Sequence, residues 1–317
     1  MRNFNEVSGD DKNRQEHKHR TMLESSKSSY LFEWMQTSNY FADCGYYSWM
    51  ADCLSKYVQT PKLILDFGCG TGEGILALIK KFNCQIISLE ENEKCIDMTA
   101  KRLMFEGYEV KCVKRMEVSC TENLSLTGLS PYSNHYQKGT LDRLKFAEKI
   151  VLIQSDFLDF ENDNELLDII KQIPFDVITC WLIGTHQYHY FNDNIMTISE
   201  EEGYNLADFA KKNAFYVKFA SHKIACELGD LVLQNNGIVN CVERLGHNEY
   251  LKNKDKIDSN NNLMVANTAS MSFEATEVRS YCPPSGGIHM TNGEKITNAN
   301  EEKEFCSSFF RKGAKKE

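Results

Sequence analysis

The stretch LILDFGCGTGEG, from Leu63 to Gly74, constrains this chain more than any other. Pro61 breaks what precedes it, and Leu63-Ile64-Leu65 is a short apolar run that fits a buried parallel strand. The chain then turns on Gly68, Gly70 and Gly72. Glycine is needed where the backbone adopts unusual dihedrals or must come into contact with a ligand. From Gly74 onward Ile75, Leu78, Ile79 and Phe82 fall on one helical face. A strand, a glycine turn and a helix start in succession predict an α/β unit whose free backbone N–H groups favour a negatively charged or carboxylate-bearing ligand.

Three acids refine that expectation. Asp66 stands two residues before the first glycine, where a dinucleotide-binding turn would begin with glycine itself. A carboxylate there suits a cationic amino group better than a pyrophosphate, so the ligand is expected to carry an ammonium. Glu90 ends a second apolar run, Gln85 to Leu89, where a carboxylate can accept hydrogen bonds from vicinal ribose hydroxyls. Glu91 beside it is kept with the cofactor set, although a solvated loop acid is its plainer reading. Asp156 follows the run Ile150 to Ser155, with Phe157 next to it. This pair suits an adenine amino group and an apolar ring wall; a helix-capping aspartate is the alternative.

The rest of the chain supplies the alternation such a fold needs. Residues 1–20 are polar and of mixed charge and read as a mobile tail. Residues 21–60 form an aromatic-rich helical lead-in: Leu31, Trp34 and Met35 suggest one short helix, and Tyr47, Met50, Leu54 and Tyr57 a second. Asn92 is a candidate N-cap for a helix carrying Ile96, Ala100 and Leu103 to Gly107. About 108–148 the rhythm breaks, apart from a possible strand at Val110 to Val113, and the stretch reads as an insertion. Strands are expected at Ile150 to Gln154, Asp176 to Ile183 and Ile238 to Val242, with helices at Leu166 to Ile173 and Leu206 to Gln234. Past a polar, Asn-rich stretch near Asn260, two late strands span Ser272 to Tyr281 and Glu304 to Arg311. Residues 61–317 thus form one doubly wound α/β domain, a mostly parallel sheet closed by an antiparallel pair.

Charge and cysteine usage bound the partners. A formal net charge of −9 argues against a broad nucleic-acid footprint, which needs clustered Lys and Arg. The twelve cysteines include no CxxC pair and no histidine at local zinc spacing, so they read as reduced core thiols, and no metal is expected. No apolar segment is long enough to span a bilayer and the polar start is unlike a signal peptide, so a cytoplasmic location without membrane partners is expected.

Taken together, the glycine turn and the two following strand-end acids resemble the class I, Rossmann-like S-adenosylmethionine-dependent methyltransferase family. The likeness covers Tyr46 to Val242, and the late strand pair looks like the reversed hairpin that closes that family's sheet. It implies a seven-stranded sheet, a transferase activity and S-adenosylmethionine as cofactor. Asp66, Gly68, Gly70 and Gly72 would embrace the methionine moiety, Glu90 the ribose, and Asp156 with Phe157 the adenine. Cys69 within the loop and Trp181 at the end of the fourth strand complete the cofactor set. The insertion is longer than the simplest members carry.

The acceptor is less constrained. Methyl transfer from a sulfonium is an in-line displacement that needs alignment and, where required, a base. After the fourth strand this chain has Cys180-Trp181-Leu182-Ile183 in place of the Asn/Asp-Pro-Pro-aromatic turn of base-amine and glutamine methylating enzymes. Cys180 lacks the preceding proline of cytosine C5 enzymes and reads as a core thiol. The segment from Thr185 to Phe191 offers His186, ranked first, and His189 as general bases, with packing histidines as the alternative. Among the lead-in aromatics Tyr40, Phe41, Tyr46, Tyr47 and Trp49, a lid is expected, with Tyr40, Tyr47 and Tyr188 lining the acceptor site. A small molecule methylated on nitrogen or oxygen is the first reading. A peptide or protein acceptor, or a cofactor-binding interaction protein without turnover, are the others.

Overall fold

In a computed structural model of the chain, residues 27–117, 132–137, 139–141, 149–156, 163–183, 206–246, 248–282 and 302–313 are described. Helix α1 (residues 27–43) leads into α2 (Tyr46–Ser55) through Gly45 at φ +70°. There follow β1 (Leu63–Phe67), α3 (Glu73–Phe82), β2 (Gln85–Glu90), α4 (Glu93–Phe105) and β3 (Val110–Val113). A small pair, β4 (Arg115–Glu117) with β5 (Tyr132–Tyr136), precedes β6 (Ile150–Gln154), α5 (Asn164–Ile170) and β7 (Phe175–Trp181). The chain ends with α6 (Leu206–Val232), β8 (Leu233–Leu245), α7 (Glu249–Met264), β9 (Met271–Tyr281) and β10 (Lys303–Lys312).

The main sheet runs β3-β6-β2-β1-β7-β8-β10-β9, parallel from β3 to β8, with β10 antiparallel to both β8 and β9. It has eight strands, not the expected seven. The extra one is β3, from the stretch read as insertion: Val110 to Val113 pair with Ile150 to Ile153 and cover a β6 edge whose polar backbone would otherwise be open. The late antiparallel pair and the alternation before it match the expectation.

Strand alternation splits the core in two. Ile64, Ile86, Leu152, Val177 and Ile238 face α2, α3 and α4, whereas Leu65, Ile87, Ile153, Ile178 and Val239 face α5, α6 and α7. Each of these side chains is essentially water-free, which is why the central strands read as unbroken apolar runs.

Two further elements differ from their expectation. Strand β8 is longer than Ile238 to Val242 and starts at Leu233, within the stretch expected to be helical to Gln234. The Asn-rich stretch near Asn260 is helical, because α7 takes its stability from tertiary contacts rather than from an apolar stripe. Asn261 is buried and donates to Ser308 Oγ at 3.1 Å, and Glu304 accepts the Tyr250 N–H at 3.0 Å near the first turn. The described part of the insertion is likewise tied down, by β4, β5 and the buried Arg115, whose guanidinium bonds Asp163 at 2.9 Å.

Candidate cofactor and acceptor site

The carboxyl ends of β1, β2 and β6 lie side by side: Phe67 is in register with Leu89, and Glu90 with Gln154. Asp66 and Glu90, spaced by the strand alternation, share the face that carries α3 and α4, and Asp156 follows β6 two residues beyond Gln154. All three acids of the sequence reading therefore belong to one rim of the sheet.

Between β1 and α3 the loop takes Gly68, Gly70 and Gly72 through φ values of +82°, +51° and +95°. Side chains rarely adopt this region, so these glycines are required by the turn itself. Gly68 N–H donates to Leu89 O at 2.7 Å, and Thr99 Oγ1 on α4 donates to Gly70 O at 3.0 Å. Cys69 is buried within the turn, where desolvation pushes its thiol well up.

Glu90 organises the opposite lip. Its Oε2 accepts the Gly70 N–H at 3.1 Å and its Oε1 the Asn92 N–H at 2.9 Å. Burial nevertheless outweighs those two bonds and raises the carboxyl to about 7. Asn92 is the expected N-cap, accepting from Lys94 N–H at 3.1 Å. Glu91 is half-buried next in line, and Asp156 is half-buried at the end of β6.

Asp66 is arranged differently from a direct ammonium ligand. It is buried, with Ser88 Oγ donating to Oδ2 and Thr179 Oγ1 to Oδ1, both at 2.7 Å. Desolvation raises its carboxyl despite both bonds. It joins the three central strands beneath the loop. Trp181 is also a packed group: its Nε1 donates to Asn240 Oδ1 at 2.6 Å, and its ring lies 3.6 Å from where a Cβ on Gly74 would be.

Helix α1 crosses this rim, and its contacts are what the sequence reading missed. A Cβ on Gly70 would sit 2.6 Å from Trp34 Nε1. The Tyr30 phenol is pushed well up, first by burial and then by the charges of Cys95 and Glu90. Lys27 pairs with Glu93 at 2.7 Å, and Ser38 donates to Glu73 Oε2 at 3.2 Å. Glu73, buried in the first turn of α3, also takes Thr71 Oγ1 at 2.8 Å and the guanidinium of Arg102. An acid directly after Gly72 was the available signal, since first-turn carboxylates suit the helix N-terminus.

The lead-in aromatics divide. Phe41 and Tyr46 pack edge-on against Tyr281 at 5.6 and 5.8 Å, and Tyr281 stacks on Phe305 at 4.0 Å, which fastens α1 and α2 to the antiparallel strands. Tyr40 donates to Cys282 O at 2.8 Å. Tyr47 is buried, shares a 2.8 Å hydrogen bond with Ser38 Oγ, and lies 3.8 Å from a Cβ built on Gly74. After β7 the chain passes Leu182, at φ +55°, and brings Ile183 Cδ1 to 2.8 Å from a Cβ built on Gly68. Phe157, His186, Tyr188 and His189 lie outside the described residues.

The sheet order with its reversed β10 is the fold implied by the methyltransferase resemblance. No family model and no curated protein matches the chain. Solved structures similar to it include a protein assigned as a sarcosine dimethylglycine methyltransferase from Galdieria sulphuraria, at 12% identity over 84% of this chain and 85% of that one, TM-score 0.42. TehB from Haemophilus influenzae shares 12% identity over 83% of this chain and 61% of its own, TM-score 0.37. The N-methyltransferase NodS from Bradyrhizobium japonicum, crystallised with S-adenosyl-L-homocysteine, shares 8% over 83% and 85%, TM-score 0.36. Similarity at this level leaves function to be read from the residues of this chain. Among the described residues no helix is long and apolar enough to cross a membrane.

Proposed function

We propose that this protein is an S-adenosylmethionine-dependent methyltransferase that transfers a methyl group to a nitrogen or oxygen of a small molecule. The observation that carries the reading is Glu90 at the lip of the glycine loop. Each of its oxygens accepts one backbone N–H, from Gly70 or Asn92, and keeps acceptor capacity for one of two vicinal ribose hydroxyls. The left-handed Gly68, Gly70 and Gly72 would carry the methionine moiety with Cys69, and Asp156 with Phe157 the adenine. Asp66 acts by holding Ser88 and Thr179 and so the strand ends, rather than by touching the ligand. The cofactor supplies an electrophilic methyl on a sulfonium.

For the acceptor, we assign His186 first and His189 second as bases, with Tyr40, Tyr47 and Tyr188 around it. Ile183, the last described residue before the His-bearing segment, lies against Gly68 of the cofactor loop, which is what supports that assignment. Trp34 on Gly70 favours an enclosed small-molecule site over an open peptide groove.

Titration calorimetry with S-adenosylmethionine and S-adenosylhomocysteine tests the cofactor, and radiolabelled methyl transfer into metabolite and peptide pools tests the acceptor. Binding that is lost in Glu90→Ala, together with label in the metabolite pool, is the expected result. No affinity for either compound overturns the reading. Tight binding without transfer to any pool makes the protein a cofactor-binding interaction module instead.

A further inference from the structure

On the other face of the sheet from Asp66, three side chains from three elements meet. Cys180 near the end of β7 and Cys241 in β8 are direct register partners in the parallel pairing, and both are buried. His222 comes down on them from α6, also buried, and the donor atoms of Cys180, His222 and Cys241 all lie within 4.8 Å of one another. One helical turn on, Cys226 stands on the same face of α6 and is buried in the same cluster as both thiols. Two sulfurs and one imidazole are thus gathered where β7 and β8 pair, with the Cys226 thiol one helical turn away in the same buried cluster.

We propose that Cys180, His222, Cys226 and Cys241 form a closed, tetrahedral zinc site that staples α6 to the ends of β7 and β8. With metal bonds of about 2.3 Å to sulfur and about 2.0–2.1 Å to nitrogen, tetrahedral geometry puts donor atoms roughly 3.5–3.8 Å apart. The donor atoms of Cys180, His222 and Cys241, already within 4.8 Å of one another, need shifts of about an ångström or less to close on an ion, and the Cys226 side chain turns in from the next helical turn as the fourth ligand. Thiolate and imidazole donors select zinc over magnesium or calcium, which take oxygen ligands. Four protein donors leave no position for water or substrate, so the role is structural. The expectation of no metal rested on local spacing, which cannot register ligands brought together by a sheet pairing and a long helix.

The test uses the full chain produced with zinc and passed through metal-free buffer. Elemental analysis is expected to find one zinc per chain, and exchange into cobalt(II) to give the visible and thiolate charge-transfer absorption of a tetrahedral sulfur-rich site. Cys180→Ser and Cys241→Ser should abolish both signals, whereas Cys53→Ser and Cys306→Ser, buried thiols elsewhere, should keep them. Zinc held equally by the Cys180→Ser protein, a Cys180–Cys241 disulfide in the mass spectrum, or wild type that retains neither metal overturns the proposal. If the serine variants do not fold, the cobalt spectrum of wild type decides alone. Cofactor affinity is measured separately, so failure here leaves the methyltransferase reading untouched.

Discussion

Thr179 Oγ1 donates a hydrogen bond of 2.7 Å to Asp66 Oδ1 across the β1–β7 pairing, while Ser88 Oγ from β2 occupies Oδ2 at 2.7 Å. A carboxylate therefore bridges three parallel strands directly beneath the glycine loop. Its two hydroxyl partners satisfy a charge that burial would otherwise make costly.

Removing that carboxylate costs more than removing a partner. Thr179→Val takes away one charge-assisted hydrogen bond at nearly constant shape, and a loss of about 1.5–3 kcal/mol is expected. Asp66→Ala also leaves both hydroxyls without their acceptor, at about 1–3 kcal/mol each. Urea denaturation of the two variants should rank them in that order. An Asp66→Ala protein as stable as wild type would contradict the bridging role.

The Glu90 carboxyl sits at about 7 because desolvation outweighs its backbone hydrogen bonds. A folded-state value raised above the ordinary 4.5 means that the folded chain holds its proton more tightly than the unfolded one. Glu90 thus contributes stability that is complete below about 4.5 and lost as pH rises through about 7. The melting temperature of wild type should fall relative to Glu90→Gln across this window. Parallel curves would show an unshifted group.

At Gly70 the backbone and a side chain oppose substitution together. Gly70→Ala faces φ +51° and a Cβ placed 2.6 Å from Trp34 Nε1. The left-handed backbone costs about 1–2 kcal/mol, and displacement of the indole adds to it. In a Trp34→Ala background only the backbone part should remain. A double-mutant cycle should therefore show coupling of about 0.5–3 kcal/mol between the two positions. Additive effects would place Trp34 away from the loop.

Arg115 and Asp163 anchor β4 and β5 beside the end of β6. The guanidinium lies 2.9 Å from Asp163 Oδ2, which also accepts Tyr136 Oη at 2.8 Å, while Oδ1 takes Leu166 N–H at 3.3 Å. Arg115→Met leaves a buried carboxylate without its cation and should cost about 3–5 kcal/mol. Adding Asp163→Asn removes the charge but keeps an oxygen for the Leu166 cap, and should recover most of that loss. Guanidinium denaturation of the single and double variants checks the pair.

Much of this was legible along the chain because periodicity and turn chemistry are local. Leu63 to Gly74 announced a strand, a left-handed glycine turn and a helix, and Asn92 announced its cap. Polar helix α7 was not legible, since its contacts with Ser308 and Glu304 come from β10. The eighth strand was visible only as a possible strand at Val110 to Val113, because a short run becomes a strand only when an open edge accepts it.

The candidate site divides in the same way. Each acid stands at the carboxyl end of an apolar run, so the position of Asp66, Glu90 and Asp156 along their strands is set by residues a few positions apart, while the pairing of those strands brings them to one rim. Folding decided what those acids touch: Asp66 is consumed by two hydroxyls, Glu90 gathers two backbone N–H groups, and Trp34 covers Gly70. The convergence of Cys180, His222 and Cys241 is of the same kind. Residues far apart in the chain meet through strand pairing and helix packing, and no local pattern encodes such a meeting because its free energy comes from burial shared among several elements.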